Sequence, residues 1–167
     1  LFINSSQVNN VIENKNVKAI TLTGSEFAGS KVAEFSGKML KKTVMELGGS
    51  DPFIILKDAD LEFAAKNAVT ARLINNGQSC IAAKRFIVEK EITEKFTNLF
   101  IENIKKIKIG DPLLEETELG PIAREDLLFE IETQVNNSVE KGAKILFGGK
   151  RKKIPGNYFE PTILANV

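Results

Sequence analysis

The sequence predicts an α/β fold that opens on a parallel βαβ unit. Two observations carry this. Apolar extended runs alternate with helically periodic stretches through almost all of the 167 residues. Two strand-like runs, Lys18-Ala19-Ile20-Thr21-Leu22 and Thr43-Val44-Met45, flank one helical stretch. Strand, helix and strand within about thirty residues form a crossover unit, and a crossover implies parallel pairing.

The elements follow in chain order. After the first strand, Thr23-Gly24-Ser25 reads as a turn, and Ala28, Val32, Phe35 and Met39 recur at helical spacing. The second strand runs into Gly48-Gly49-Ser50, the expected boundary between 1–48 and 49–167. Past Asp51-Pro52 comes the apolar run Phe53-Ile54-Ile55-Leu56. Asp60 is placed to cap a helix whose inner face carries Leu61, Ala65, Val69 and Leu73. Asn75-Asn76-Gly77 ends it. Arg85-Phe86-Ile87-Val88 reads as a strand. A third helix carries Ile92, Phe96, Leu99 or Phe100, and Ile107, with Gly110-Asp111-Pro112 as its stop. A fourth carries Leu128, Ile131, Val135 and Val139 up to Gly142. Lys144-Ile145-Leu146-Phe147 and Tyr158-Phe159 read as late strands.

Composition excludes several function classes. With 23 basic and 22 acidic side chains the formal charge is +1, so no one-signed field favours nucleic acid or an anionic membrane. No apolar run approaches the ~20 residues of a membrane span. The single cysteine, Cys80, cannot form an internal disulfide, and a reducing, cytoplasmic setting is expected. One cysteine and no histidine leave no thiolate–imidazole metal site. The start at Leu1, without Met, and the end at Ala165-Asn166-Val167 give the expectation of a piece cut from a longer chain.

Glu46 and Cys80 are the candidate catalytic residues. A cysteine nucleophile usually relies on a histidine base. No histidine exists here, so a carboxylate or water must accept the proton, and Glu46 is the natural carboxylate. Cys80 follows Asn75-Asn76-Gly77-Gln78-Ser79, polar or small residues of a loop able to expose a thiol; a buried structural cysteine is the competing reading. Glu46 ends an apolar strand beside two glycines, where parallel sheets place functional groups; a solvated surface acid is its alternative. In Thr23-Gly24-Ser25-Glu26-Phe27-Ala28-Gly29, Gly24 permits close backbone approach, Ser25 offers a hydroxyl, and a helix start presents N–H groups to an anion. This suits a cofactor pyrophosphate, and equally an ordinary turn capped by serine. Gly148-Gly149-Lys150 reads as a turn, since Pro155 and Gly156 follow and no helix does. Lys84 and Arg85 are read as strand anchors or solvent-facing cations.

Glu46-Leu47-Gly48-Gly49 followed by Gly77-Gln78-Ser79-Cys80, with Thr23-Gly24-Ser25 and Gly29 upstream, resembles the aldehyde dehydrogenase superfamily. Gly110-Asp111-Pro112, Leu119-Gly120-Pro121, Gly148-Gly149 and Phe159-Glu160-Pro161-Thr162 stand in that family's order, so the resemblance covers essentially the whole chain. Ser50-Asp51-Pro52-Phe53-Ile54 and Ala82-Ala83-Lys84-Arg85-Phe86-Ile87-Val88 are most similar to the succinate-semialdehyde dehydrogenase group.

The resemblance implies an aldehyde-dehydrogenase-like fold. Residues 1–48 would be the C-terminal part of an NAD(P)-binding domain and 49–167 the N-terminal part of a catalytic domain. It implies NAD or NADP as cofactor, a small-molecule aldehyde as substrate, and a homo-oligomer. Cys80 would attack the aldehyde, and Glu46 would activate the water that hydrolyses the thioester. The Cys80 N–H would supply half of an oxyanion site. Thr23 and Leu47 would lie against the nicotinamide, and Ser25, with Gly24 and Gly29 in the same turn, would serve the pyrophosphate. Where well-known members hold a substrate carboxylate with arginine, this chain has Ile74, and Arg72 lies two residues back, roughly 200° around a helix. Further family residues, a second oxyanion donor among them, are not in these 167 residues. The expectation is therefore a central segment with little activity alone. A coenzyme A-acylating relative and a non-catalytic assembly module are the alternatives.

Overall fold

The computed structural model describes residues 2–167. They form two compact units, one ending at Ser50 and the other Asp51–Val167. Each has its own pairing pattern.

The first unit is the βαβ crossover. Strand β1 (Ala19–Thr23) pairs in parallel with β2 (Lys42–Glu46), in a register that sets Ala19 against Lys42 and Thr23 against Glu46. Helix α2 (Glu26–Lys38) makes the crossover and starts on a Ser25 cap, whose Oγ accepts the Ala28 N–H at 3.2 Å. The most buried positions of α2 are Gly29 and Ser36, offset by one from the periodic Ala28, Val32 and Phe35. Small residues win there because the helix comes too close to its neighbours for larger ones. A Cβ on Gly29 would stand 2.6 Å from Leu47 Cδ2.

Nothing in the sequence pattern before Lys18 marked a helix. The structure places a 3-10 turn (Ser5–Gln7) and the short α1 (Val8–Glu13) there. Ile12 is α1's one buried residue, 1% exposed, and Lys41 ties its end down by donating to the Ile12 and Asn14 carbonyls.

The second unit repeats the crossover. Strand β3 (Pro52–Ile55) pairs in parallel with β4 (Arg85–Val88), with α3 (Leu61–Leu73) between them. Asp60 caps α3, accepting the Phe63 N–H at 3.1 Å. Packing of α3 on α4 (Thr93–Ile104) builds the main core from Ile55, Ala65, Ala68, Val69, Phe96, Phe100 and Ile104. The alanines let the helices approach, and the phenylalanines fill the space beside the sheet. Phe53, Phe86, Phe100 and Phe96 form a chain of tilted rings, with successive centroids 5.4, 4.8 and 5.7 Å apart. On the opposite face of this strand pair, Ile54 and Ile87 are 61% and 51% exposed.

Three expectations are corrected. The helix carrying Ile92 to Ile107 is shorter than its periodicity. It ends at Ile104, and Ile107 packs on the core from the following loop, where Lys108 and Gly110 bond to Glu118 and Leu119. Tyr158-Phe159 is not a strand of the late sheet. Strand β5 (Lys144–Phe147) pairs antiparallel with β6 (Ile163–Ala165) instead. Pro161 has no N–H to give a ladder, so regular pairing begins only beyond it. The Tyr158 carbonyl accepts from the Lys152 N–H, the Glu160 N–H donates to the Lys150 carbonyl, and Tyr158 and Phe159 bury their rings. Phe159 joins Leu128 and Val135 of α5 (Glu125–Glu140), while the Tyr158 hydroxyl donates to the Gly110 carbonyl at 3.0 Å. Ile131 and Val139, expected on the inner face of α5, are exposed. Gly148-Gly149 is a turn, with both φ positive and the Gly149 N–H on Thr162 Oγ1 at 2.9 Å.

Phe96→Ala is expected to lower stability by about 3–5 kcal/mol, the usual cost of emptying a buried aromatic site. Asp60→Ala, which removes only a cap, is expected to lower it by about 1 kcal/mol. Urea unfolding midpoints measure both.

Candidate active site

Six of the sequence-predicted residues gather at one end of the β1–β2 pair. Parallel register brings Thr23 and Glu46 alongside each other as the last residues of the two strands. The Gly24 N–H donates to the Glu46 carbonyl at 3.0 Å, so the turn entering α2 is stitched to the base of Glu46. Glu46 is exposed. Leu47 follows it and packs onto buried Gly29, one turn into α2. Gly29 thus serves this end of the sheet by having no side chain where Leu47 must lie.

The turn fits an anionic cofactor group. Gly24 is exposed, and the nearest atom to a Cβ built on it is Leu22 Cγ, 3.9 Å away. Backbone can therefore approach a ligand there without obstruction. The amides of Glu26 and Phe27 begin α2 and have no acceptor within the helix. Ser25 Oγ caps the helix while remaining exposed. The Glu26 carboxylate stands in the same first turn and opposes added negative charge. The cleft lined by Asn9, Lys31, Glu34, Phe35 and Lys38, about 360 Å³, lies along α2 and includes none of the candidate residues. Lys38 and Lys31 beside Glu34 hold its carboxyl below the usual range.

Cys80 belongs to the second unit, in the segment joining α3 to β4. Its thiol is free and exposed, in accord with a loop cysteine rather than a core one. The chain leaves α3 through a short 3-10 turn in which Asn75, Asn76 and Gly77 all have positive φ, at 49°, 55° and 74°. Asparagine tolerates this conformation better than most residues, and glycine adopts it freely. That accounts for the Asn-Asn-Gly sequence. Side chains on both sides then hold the reversal. Asn76 Oδ1 accepts the Gly120 N–H at 3.1 Å, and its Nδ2 donates to the Pro121 carbonyl at 2.9 Å. Gln78 Oε1 accepts the Ala123 N–H at 3.2 Å. Leu119-Gly120-Pro121 is thereby the strap against which the Cys80 loop rests.

From the helix side, Arg72 donates through Nη1 to the Ala83 carbonyl at 2.9 Å and through Nη2 to the Gly77 carbonyl. Lys84 Nζ lies 3.3 Å from the carbonyl oxygens of Cys80 and Ala82. Among the described residues the Cys80 N–H has no acceptor, so it is available to a ligand oxygen. The sequence singles out Cys80 as a candidate, but not Arg72, Asn76 or Gln78 as supports of its loop. Side chains that bond to backbone carbonyls and amides leave no spacing signature. No group of three or more metal-ligating side chains occurs among the described residues, and no helix is long and apolar enough to cross a membrane.

Comparison with known proteins agrees with these motifs. Residues 3–167 match the model of the aldehyde dehydrogenase family. A succinate-semialdehyde dehydrogenase (NADP+) of Mycobacterium avium is 48% identical over all 167 residues. A succinate semialdehyde dehydrogenase (NAD(P)+) of Escherichia coli is 49% identical over 160 residues, 96% of this chain. In both cases the chain spans 35% of the relative's length. The crystal structure of succinic semialdehyde dehydrogenase from Streptococcus pyogenes, in complex with NADP+, superposes on 98% of this chain with a TM-score of 0.94 and 41% identity, over 36% of its own length. The match over nearly every residue, in sequence and in backbone, establishes that this chain belongs to the aldehyde dehydrogenase family.

Proposed function

We propose that this chain is the central, catalytic segment of an NAD(P)-dependent aldehyde dehydrogenase that oxidises an aldehyde, succinate semialdehyde foremost, to its acid. One observation carries most weight. The only cysteine of a histidine-free chain is free and exposed on a loop that side chains brace from two sides. The names of the relatives support the substrate and the cofactor. Residues up to Gly48 are read as the end of the cofactor domain and the rest as the start of the catalytic domain.

Cys80 acts as the nucleophile. Its thiolate adds to the aldehyde carbon and converts the carbonyl oxygen to an oxyanion, to which the unpartnered Cys80 N–H donates. The nicotinamide of NAD or NADP, when bound, supplies the oxidant by accepting hydride from that carbon. Cys80 then carries a thioester. Glu46 takes a proton from water as the water oxygen attacks the thioester carbon, and the C–S bond breaks to release the acid and free the sulfur. Ser25 and the open backbone at Gly24 would hold the pyrophosphate, and Thr23 and Leu47 would lie against the nicotinamide. Gly29 keeps Leu47 in place. A cytoplasmic, reducing setting suits an exposed free thiol. Self-association is part of the same reading, favoured by exposed apolar residues such as Phe27 on α2.

In the enzyme carrying this segment, Cys80→Ser is expected to abolish both the first turnover and steady oxidation. Glu46→Gln is expected to retain the initial burst of NAD(P)H while steady turnover falls by on the order of 10²–10⁴-fold. Rapid-mixing absorbance separates the phases. Unchanged steady turnover in Glu46→Gln removes the carboxylate from the mechanism. Formation of an acyl-CoA instead of free acid moves the protein to the acylating class.

A further inference from the structure

Arg72 stands apart from the residues assigned so far. It sits in the last turn of α3 and is half-buried. Among the described residues no carboxylate neutralises it, and burial alone lowers its pKa from the ordinary value. A guanidinium placed this way needs its donors satisfied. Each Nη group donates one hydrogen bond to the backbone. Nη2 meets the Gly77 carbonyl and Nη1 the Ala83 carbonyl. Those two carbonyls flank Cys80 symmetrically, three residues before it and three after.

Two further features depend on that arrangement. Gly77 has φ of 74°, and a Cβ built on it would fall on Arg72 Nη2 and lie 3.1 Å from the Arg72 carbonyl oxygen. The left-handed reversal and the missing side chain together leave the space that the guanidinium occupies. The Ala83 N–H donates to the Ala71 carbonyl at 3.0 Å, so the far end of the loop is fastened to α3 by backbone and by Arg72 at once. Lysine could not reproduce this. One ammonium on a flexible stem lacks the rigid fork that spans two acceptors.

We propose that Arg72 is a positioning residue: its guanidinium staples the two ends of the segment 77–83 and fixes where Cys80 stands, and it is not a ligand of the substrate carboxylate. The proposal rests on the reading of Cys80 as nucleophile. A nucleophile must be held close to its attack geometry, and small displacements cost large factors in rate. Two bonds to the loop backbone hold the guanidinium against residues 77 and 83, and roughly 200° separates Arg72 from position 74 on an ideal helix.

The test uses the enzyme carrying this segment, with Arg72→Lys, Arg72→Met and Gly77→Ala, each checked for folding by circular dichroism and thermal melting. Three quantities are read: kcat, the rate of Cys80 alkylation by iodoacetamide, and KM for succinate semialdehyde relative to butanal, an uncharged aldehyde of equal chain length. The expected result is that kcat and alkylation rate fall together, by on the order of 10²-fold in Arg72→Met, with a smaller loss in Arg72→Lys. The KM ratio of the two aldehydes stays at the wild-type value. If Arg72→Met is recovered unfolded, Arg72→Lys and Gly77→Ala carry the same comparison. A folded variant with a lower melting temperature but wild-type kcat and alkylation rate overturns the proposal, because Arg72 would then be only a structural brace. A selective rise in KM for succinate semialdehyde also overturns it, by making Arg72 a substrate ligand. A wild-type enzyme with slow Cys80 alkylation and no aldehyde-dependent NAD(P)H defeats the parent reading itself, and this proposal with it.

Discussion

Parallel strand pairing is the constraint on which both units are built. A parallel pair cannot be closed by a tight hairpin, so the chain must cross from the end of one strand to the start of the next. Helix α2 makes that crossing between β1 and β2, and α3 makes it between β3 and β4. Apart from Gly29 within α2, the functional candidates lie where the chain leaves or returns to a strand. Thr23, Gly24 and Ser25 lead out of β1, Glu46 and Leu47 lead out of β2, and Cys80 lies on the return from α3 into β4. These are also the places where backbone leaves regular pairing and its polar groups become free to bind something else.

The two units solve the return differently. In the first, register does most of the work. Thr23 opposite Glu46 and the Gly24 N–H on the Glu46 carbonyl set turn and acid side by side. Gly29 completes this by admitting Leu47 into a space no larger residue could share. In the second, the return is longer and has no ladder of its own. Three consecutive residues at positive φ make the reversal, and side chains support it. Arg72 braces it from the helix, and Asn76 and Gln78 from the strap at 120–123. Hydrogen bonds to a charged donor each contribute about 1.5–3 kcal/mol, while leaving a buried polar group unmade costs a similar amount. A braced loop of this kind combines an exposed thiol with a defined position, two properties that an unbraced surface loop could not join.

The aromatic chain explains why the second unit can carry such a loop. Phe53 and Phe86 come from the two strands, and Phe96 and Phe100 from α4, so one continuous packing contact links sheet to helix. Ala65 and Ala68 bring α3 close against that layer. The helix from which Arg72 reaches the Cys80 loop is therefore itself anchored in the core.

Much of this was legible in the residues alone. The alternation of strand and helix, the caps at Ser25 and Asp60, and the break at Asn75-Asn76-Gly77 follow from local preferences and short motifs. Such features depend on neighbours a few positions away, and the sequence states those neighbours directly. Tertiary structure decided the rest. It chose Gly29 and Ser36 over Ala28 and Val32 as the tightest face of α2, because close approach selects for smallness rather than hydrophobicity. It ended α4 at Ile104 and set Ile163–Ala165, not Tyr158-Phe159, beside β5. It also turned Arg72 and Asn76 toward backbone groups up to 45 residues away. A carbonyl or amide is the same group in every residue, so its choice of partner is written in no side-chain pattern and emerges only when the chain has folded.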